Sequence, residues 1–254
     1  MLYNKHRNKG EHKMKKKVIY ALFDDGNQSV KKTLEPLGYE VYSFGVQKKD
    51  SVIECDLTNL EDFFKKAKDL PDPDFIFANP PCETFSSATN GTYLKSGRTG
   101  NKYYYHDTLE PVLDFEDWIS HNNVTIKNIK NKREVFEKSR ETLFISEKLH
   151  KNTEVIIDFY KVPFAIENPH KSLAWKKYYL NKHKTLTNYL CYDDSFTKKP
   201  TFICSNIPLV LKKDTKGLKS KTKWSKMRNY NSAARVPASL ITSIMRQIEQ
   251  GCEK

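Results

Sequence analysis

Short apolar runs separated by amphipathic stretches define the first half of the chain. Residues 18–23, 39–44 and 74–78 have the length and apolar content of buried strands. Residues 29–37 show helical spacing, with Ser29 as the predicted N-cap and Gly38 as the closing residue. A strand, a helix and a strand in this order form a unit whose strands run parallel. The pattern therefore predicts an α/β fold with a doubly wound, mostly parallel sheet.

The later pattern completes this fold. Further strands are expected at residues 53–56, 162–166, 185–192 and 201–204, and helices at residues 61–68, 131–160 (in two pieces) and 238–248. Residues 87–130 are polar and aromatic with weak periodicity, which is typical of a long functional or disordered loop. At 254 residues the chain fits one domain, or one domain with a small lobe.

Charge is the most informative feature of the composition. The chain has 44 basic and 31 acidic residues, a net charge of +13. Residues 1–17 hold seven basic residues against one acidic residue, and residues 212–235 hold nine against one. A basic excess favours a polyanionic partner such as nucleic acid, although a lysine-rich genome composition with solvated surface segments would give the same pattern.

Other features of the composition exclude several classes of protein. No run of about 18 apolar residues is present, so no membrane span is predicted. The N-terminus lacks the apolar region of a secretory signal. Five cysteines at irregular spacings argue against a disulfide framework and against a zinc site, so no metal is expected. These observations predict a cytoplasmic protein, and we expect a monomer.

The stretch Asn-Pro-Pro-Cys-Glu-Thr-Phe-Ser, from Asn79 to Ser86, is the strongest candidate for a reactive site. Its two prolines end the preceding strand and form a stiff turn, since each fixes φ and removes a backbone donor. The turn places Cys82 at the carboxyl end of that strand, where ligands bind in open α/β sheets. A cysteine there serves as a nucleophile, or as a small buried residue that caps the strand.

Two further strand ends carry acidic residues. Glu167 follows the apolar run 164–166, and parallel strands would bring it to the same sheet edge as Cys82. Asp56 ends the third predicted strand. The alternative interpretations are a turn-forming role for Glu167 and a helix-capping role for Asp56. The turn at residues 23–29 lets backbone amides approach a ligand at a helix N-terminus, although an ordinary turn fits equally well.

The Asn79 to Ser86 stretch resembles the Pro-Pro-Cys-x-x-Phe-Ser catalytic loop of DNA cytosine-5 methyltransferases. Phe-Ala-Ile-Glu-Asn-Pro, with Glu167 at its centre, resembles the Glu-Asn-Val/Pro motif of the same family. The turn after Phe23 resembles the Phe-x-Gly-x-Gly cofactor turn, with Gly26 as its one glycine. The resemblance extends from about residue 17 to about residue 250 and is most specific at the first two motifs.

The resemblance implies a small, phage-type, S-adenosylmethionine-dependent enzyme that methylates C5 of a flipped cytosine in double-stranded DNA. It implies Cys82 as the nucleophile and Glu167 as the acid that contacts N3. The residues expected at the cofactor are Phe23, Asp24, Asp25, Gly26, Asn27, Gln28, Asp56, Asn79 and Pro81. Those expected at nucleic acid are Ser86, Lys199, Lys219, Lys221, Lys223 and Arg228, with a solvated lysine pair as the alternative for Lys199. Gly45 stands where the family has an acid for the ribose.

The resemblance also implies a division of the chain. We expect a flexible basic arm at residues 1–17, a catalytic core of the S-adenosylmethionine methyltransferase type at 18–197, a small basic DNA-recognition region at 198–235, and a helix at 236–254 that returns to the core. Two other functions remain open. One is a catalytically degenerate DNA-binding relative, and the other is an amino-methyltransferase that uses the Asn-Pro-Pro loop.

Overall fold

The computed structural model describes residues 16–24, 26–85, 111–121, 131–222 and 235–252. One seven-stranded sheet runs through these ranges, in the order β3-β2-β1-β4-β5-β7-β6. Its strands are β1 Val18–Leu22, β2 Glu40–Gly45, β3 Val52–Glu54, β4 Phe75–Ala78, β5 Phe164–Pro169, β6 His183–Asn188 and β7 Pro200–Ser205. Strands β1 to β5 pair in parallel, and β7 is antiparallel to both of its neighbours. The predicted α/β class with a mostly parallel sheet is confirmed.

Helices flank this sheet on both faces. They are α1 Ser29–Leu34, which continues into a 3-10 turn at Glu35–Leu37, α2 Leu60–Ala67, α3 Phe115–His121, α4 Lys132–Tyr160, the short α5 Ala174–Lys177, and α6 Ala238–Cys252. On one face Ile19 and Ala21 of β1 pack in a cluster with residues of α1 and α6. On the other face Val18, Tyr20 and Leu22 pack in a cluster with residues of α2 and α4. Strand β1 is therefore buried on both sides, as expected for the centre of a doubly wound sheet.

The strand order reverses between β1 and β4. From β1 the chain moves to β2 on one side, whereas β4 lies on the other side of β1. The carboxyl ends of the two central strands are joined, because the backbone amide of Asn79 donates a hydrogen bond of 3.2 Å to the Leu22 carbonyl. Ligands of open α/β sheets bind in the crevice at such a switch point. The segments that follow Leu22 and Ala78 therefore define where a functional site is expected.

Two sequence-based predictions about helices are wrong. Residues 131–160 were expected as two pieces but contain one continuous helix, α4. Polar residues in its middle interrupt the apolar pattern, yet several of them are buried. Two of these bond other segments of the chain: His150 bonds the Pro81 carbonyl, and Asn152 donates a hydrogen bond of 2.8 Å to the Leu57 carbonyl. Within the stretch expected to be loop, α3 forms on the N-terminal cap of Asp114, which accepts from the Glu116 and Asp117 amides.

The predicted N-cap of α1 is also wrong. Ser29 makes no cap, and the Asp24 carboxylate instead accepts from the amides of Val30 and Lys31, each at 3.1 Å. The carboxylate reaches these amides because Gln28, directly before the helix, has a left-handed φ of 53°. An acceptor five residues upstream of Ser29 lies outside the local spacing on which N-cap prediction depends.

Several described segments of the chain after residue 198 contact the core. Strand β7, the first part of the predicted recognition region, pairs with both β5 and β6. The segment that follows runs beside β6, where the Lys212 carbonyl accepts from the Thr187 hydroxyl at 2.8 Å. Helix α6 packs against α1. In the described part of the chain, none of the helices has the length and apolar character needed to cross a membrane.

Candidate active site

The loop after β4 is fixed by side chains that bond its two proline carbonyls. The Asn168 amide nitrogen donates 3.0 Å to the Pro80 carbonyl, and His150 Nε2 lies 3.1 Å from the Pro81 carbonyl. A carbonyl only accepts, so Nε2 carries the proton and Nδ1 accepts from the Tyr179 hydroxyl at 2.9 Å. The stiff turn predicted from the sequence thus has a buried support on each proline, and this support sets the position of Cys82.

His150 is a supporting residue that the sequence did not single out. It is fully buried, its ring stacks on Tyr178 at 5.3 Å, and the edge of Phe85 meets it at 4.7 Å. Burial lowers the pKa of His150 from 6.5 to about 4. The ring is therefore neutral at physiological pH, which keeps the hydrogen-bond pattern to Pro81 in one form. The only sequence signal was a histidine among the apolar positions of a helix.

Cys82 and Glu167 come from adjacent parallel strands and share one site. Ala78 of β4 is opposite Ile166 of β5, so the chain continues into the Cys82 loop on one strand and into Glu167 on the next. Burial raises the pKa of the Cys82 thiol to about 11, with the Lys199 charge opposing this shift and the Glu167 charge adding to it. The structure brings the two predicted catalytic residues together, and the ligand-free protein holds Cys82 as the neutral thiol.

Lys199 and Tyr189 complete this site. The Lys199 ammonium lies 3.7 Å from Glu167 Oε1 and 4.6 Å from the centre of the Tyr189 ring. Its side chain is 18% exposed, so it is not the solvated lysine that the sequence left as an alternative. Tyr189 is fully buried, and burial, followed by the Glu167 charge, raises its pKa well above its usual value. Nothing in the local sequence pointed to Tyr189.

Two buried side-chain oxygens of this region, Asn79 Oδ1 and Asn168 Oδ1, have no hydrogen-bond partner among the described residues. Two more, Glu167 Oε1 and Tyr189 OH, make no hydrogen bond of good geometry but lie close enough to interact with each other. The 3.7 Å contact from Lys199 to Glu167 is an ion pair that is too long for a hydrogen bond. Buried polar groups are nearly always satisfied, so a cluster of exceptions needs an explanation. Asn79, Glu167 and Asn168 lie at the carboxyl ends of β4 and β5, and Tyr189 follows β6. Their position at the sheet edge makes this edge the candidate ligand site.

The predicted cofactor turn has a glycine-like backbone that is built largely without glycine. Phe23 and Gln28 adopt left-handed φ angles of 63° and 53°. Asp24 is buried inside the turn, where it also accepts from the Ser43 hydroxyl at 3.1 Å, and burial raises its pKa to about 6 against these hydrogen bonds. The carboxylate of Asp24 is thus engaged in holding the turn and α1. The side-chain amide of Gln28 donates a hydrogen bond to the Ser51 hydroxyl.

Other cofactor candidates lie along the same sheet edge. Asp56 is exposed, and its Oδ1 accepts from the Thr58 amide at 2.9 Å in a turn before α2. The Gly45 carbonyl accepts from the Cys55 amide at 2.8 Å, which places the end of β2 beside Asp56. The Gly26 carbonyl accepts from the Lys49 ammonium, and the Asn27 carbonyl accepts from Lys32 at 2.8 Å.

Only some of the residues expected to contact nucleic acid lie within the described ranges. Lys219 is exposed, whereas the Lys221 ammonium pairs with Asp194 at 2.8 Å and its amide donates to the Asp194 carbonyl. Four predicted site residues lie outside the described residues: Asp25, Ser86, Lys223 and Arg228. Within the described ranges, no group of three or more His, Cys, Asp or Glu side chains is arranged to hold a metal ion.

The geometry can support covalent chemistry at Cys82 with an acid and a cation nearby. A thiol in a partly exposed position, a carboxyl group with an unbonded oxygen and a fixed ammonium are the parts needed for addition to an electrophilic ring.

Comparisons of the chain with protein-family models and with curated proteins find no match.

Proposed function

We propose that this protein is an S-adenosylmethionine-dependent DNA cytosine-5 methyltransferase whose nucleophile is Cys82 and whose acid is Glu167. The observation that carries the proposal is the meeting of these two side chains at the carboxyl ends of β4 and β5. The site lies beside the point where the strand order reverses, the expected position of a ligand in this class of sheet. The doubly wound methyltransferase type of the fold is part of the same proposal.

The reaction uses both side chains in turn. The Cys82 thiolate adds to C6 of the cytosine ring as N3 takes up a proton that enters from water through the Glu167 carboxylate, so that the ring electrons become available at C5. After C5 has received the methyl group, a base removes the C5 proton, the bond between sulfur and C6 breaks, and N3 returns its proton through the Glu167 carboxylate. The target cytosine has to leave the duplex stack to reach these groups.

The residues of the sheet edge fit a bound S-adenosylmethionine, which supplies an electrophilic methyl group. Asn79 Oδ1 is a buried acceptor without a protein partner, and it lies at the switch point between β1 and β4. The exposed Asp56 carboxylate, further along the edge, is suited to accept from an amino group. Asp24 holds the first turn in shape rather than offering its carboxylate. We infer that Asn79 and Asp56 hold the cofactor and that the turn provides its backbone wall.

The protonation state of Cys82 bears on the order of events. Because burial raises its pKa to about 11, Cys82 is a neutral thiol before the target cytosine enters the site. A neutral thiol is a weak nucleophile, so the thiolate has to form as the complex assembles. The arrangement protects the cysteine from unwanted reaction in the absence of DNA.

The basic surface supports a DNA partner. The net charge is +13, and exposed lysines such as Lys213, Lys216 and Lys219 follow β7 in the chain. Phosphate contacts position a protein on DNA without reading its sequence. The short basic segment is therefore proposed to hold the duplex while the loop with Cys82 acts on the base.

One observation favours a second candidate, an amino-methyltransferase. The unbonded Asn79 Oδ1 precedes Pro80 and Pro81, and an amide oxygen there is suited to accept from a target amino group. We rank this candidate lower because Cys82 stands where the Asn-Pro-Pro loop of those enzymes has an aromatic residue. A catalytically degenerate DNA-binding relative is the third candidate, and Gly45 in place of the ribose-binding acid is its support.

The test is to express the protein with plasmid DNA and to identify methylated nucleosides by mass spectrometry after digestion. We expect 5-methylcytosine from the wild type, none from Cys82→Ala, and an unchanged amount from Cys191→Ala, a matched control at another partly buried cysteine. On duplexes that contain 5-fluorocytosine, only the wild type and the control should form a covalent adduct. N4-methylcytosine or N6-methyladenine would support the second candidate, and an adduct with Cys82→Ala would overturn the assignment.

A further inference from the structure

The structure places Lys199 among protein groups of the site, although the sequence grouped it with residues that contact DNA. Its ammonium is bound between the Glu167 carboxyl, at 3.7 Å, and the face of the Tyr189 ring, at 4.6 Å. Its neighbour Lys198 is exposed. A lysine that reaches DNA phosphates is usually free to move in solvent, whereas this ammonium is held within the site.

Tyr189 fixes Lys199 through both backbone and ring. The Tyr189 amide donates 3.4 Å to the Lys199 carbonyl, and the ring packs edge-on against Phe196 at 5.6 Å. Tyr189 directly follows β6 and Lys199 directly precedes β7, so the antiparallel pair of strands sets their separation. A cation over an aromatic face is attracted by the ring quadrupole. The ammonium thus has one preferred place.

We propose that Lys199 is a positioning residue for the Cys82 nucleophile, because its ammonium, held by Glu167 and Tyr189, favours the thiolate form of Cys82. The inference depends on the proposed function only in taking Cys82 as the nucleophile. When the thiolate forms, the thiol proton passes to water and the ammonium keeps its own protons. The sulfur then uses its free electron pair for the new bond to carbon.

The charges of Lys199 and Glu167 should act on the pKa of Cys82 in opposite directions. Burial is the largest influence on the Cys82 thiol and raises its pKa, the Lys199 charge is next and lowers it, and the Glu167 charge raises it. Loss of the Lys199 charge should therefore raise the pKa of Cys82, and loss of the Glu167 charge should lower it. A charge beside a titratable group typically shifts the pKa of that group by about 1 to 3 units.

The experiment measures the rate at which iodoacetamide alkylates Cys82 in the full chain without DNA or cofactor. The sulfur–carbon bond forms as iodide leaves, and peptide mass spectrometry resolves Cys82 from the other cysteines. For each unit of pKa the thiolate fraction changes about tenfold, but thiolate reactivity changes about threefold in the opposite sense, which leaves about threefold. Lys199→Met should therefore react about 3- to 30-fold more slowly than wild type at a fixed pH below the pKa.

The matched variants separate charge from general damage. Glu167→Gln should react faster than wild type, Lys199→Arg should stay close to it, and Lys198→Met, a change of the exposed neighbour, should leave the rate unchanged. Alkylation of Cys204, which is buried in the sheet, would show that a variant is unfolded. If Lys199→Met is unfolded in this way, Lys199→Gln decides the outcome in its place.

The inference is overturned if removal of the Lys199 charge leaves the rate at Cys82 unchanged, or if the Lys199 and Glu167 variants shift it in the same direction. Because the assay needs no methyl transfer, its result is separate from that of the methylation test. Absence of 5-methylcytosine with opposite shifts in alkylation would overturn the proposed function and keep the role of Lys199. Methylation with unchanged alkylation would do the reverse.

Discussion

Replacing His150 with Gln should alter the way in which the free energy of unfolding depends on pH. Burial lowers the pKa of His150 from 6.5 to about 4, so the unfolded chain binds a proton between these values and the folded chain does not. The stability that depends on the neutral ring is fully present above pH 6.5 and is lost as the pH falls towards 4. The shift corresponds to about 3 kcal/mol.

Asp24 acts in the same pH range with the opposite sign. Burial raises its pKa from 3.8 to about 6, so the folded chain binds the extra proton. Its contribution is fully present below pH 3.8 and is lost as the pH rises through 6, again by about 3 kcal/mol. In the wild type the contributions of Asp24 and His150 should nearly cancel, and stability should change little between these limits on their account.

Urea denaturation of four proteins separates the two groups. Relative to wild type, His150→Gln should be about 3 kcal/mol more stable near the low end of the range than near the high end, and Asp24→Asn should show the opposite slope. The double variant should return to the wild-type slope. Other carboxyl groups titrate in all four proteins and cancel in the cycle.

His150→Gln should also lose about 1 to 3 kcal/mol at every pH, because a buried hydrogen-bond arrangement is replaced. The glutamine keeps an N–H donor for the Pro81 carbonyl, which limits the damage to the Cys82 loop. A His150→Gln protein whose stability follows pH as the wild type does would refute the assignment of a buried neutral ring, whatever its absolute stability.

Three further predictions concern the proposed reaction. Glu167→Gln should lower the rate of methyl transfer by about 10²-fold or more while leaving the protein folded, because one transition-state contact is lost; unchanged single-turnover rates would place the acid elsewhere. Asp56→Asn should weaken S-adenosylmethionine binding in calorimetry without affecting DNA binding, and equal affinities would remove Asp56 from the cofactor site. Lys219→Ala should lower the slope of log affinity for DNA against log salt by about 0.9 on cognate and scrambled duplexes. Lys221→Ala is its control, since the Lys221 charge is already paired with Asp194, and equal slopes for wild type and Lys219→Ala would contradict phosphate contact.

Local patterns were sufficient to predict the parallel part of the sheet and the sheet edge at which Cys82 and Glu167 lie. Strands β1, β2 and β4 are short and mostly buried. Short apolar runs of this kind can be recognised directly in the sequence. The two prolines after β4 end that strand by covalent geometry alone, so the placement of Cys82 followed directly. Predicting that Cys82 and Glu167 share one site needed only the rule that the carboxyl ends of parallel strands lie at the same sheet edge.

Local patterns failed where a distant group replaced the expected one. The cap of α1 comes from Asp24 rather than Ser29, because a left-handed turn folds the earlier carboxylate over the helix. Helix α4 looked broken at polar residues such as Asn152, although the Asn152 side chain is buried and bonds the distant Leu57 carbonyl. In each case a tertiary contact outweighed the local preference.

The sequence by itself determined an α/β chain with the Cys82 loop and the Glu167 carboxyl group at one sheet edge. The tertiary structure decided which side chains surround them. Lys199 and Tyr189 meet Glu167 only because β7 is inserted antiparallel between β5 and β6. His150 supports the Cys82 loop across 69 positions of sequence. Contacts of this kind depend on strand order and helix placement, which are set by burial over the whole core and leave no periodic signal along the chain.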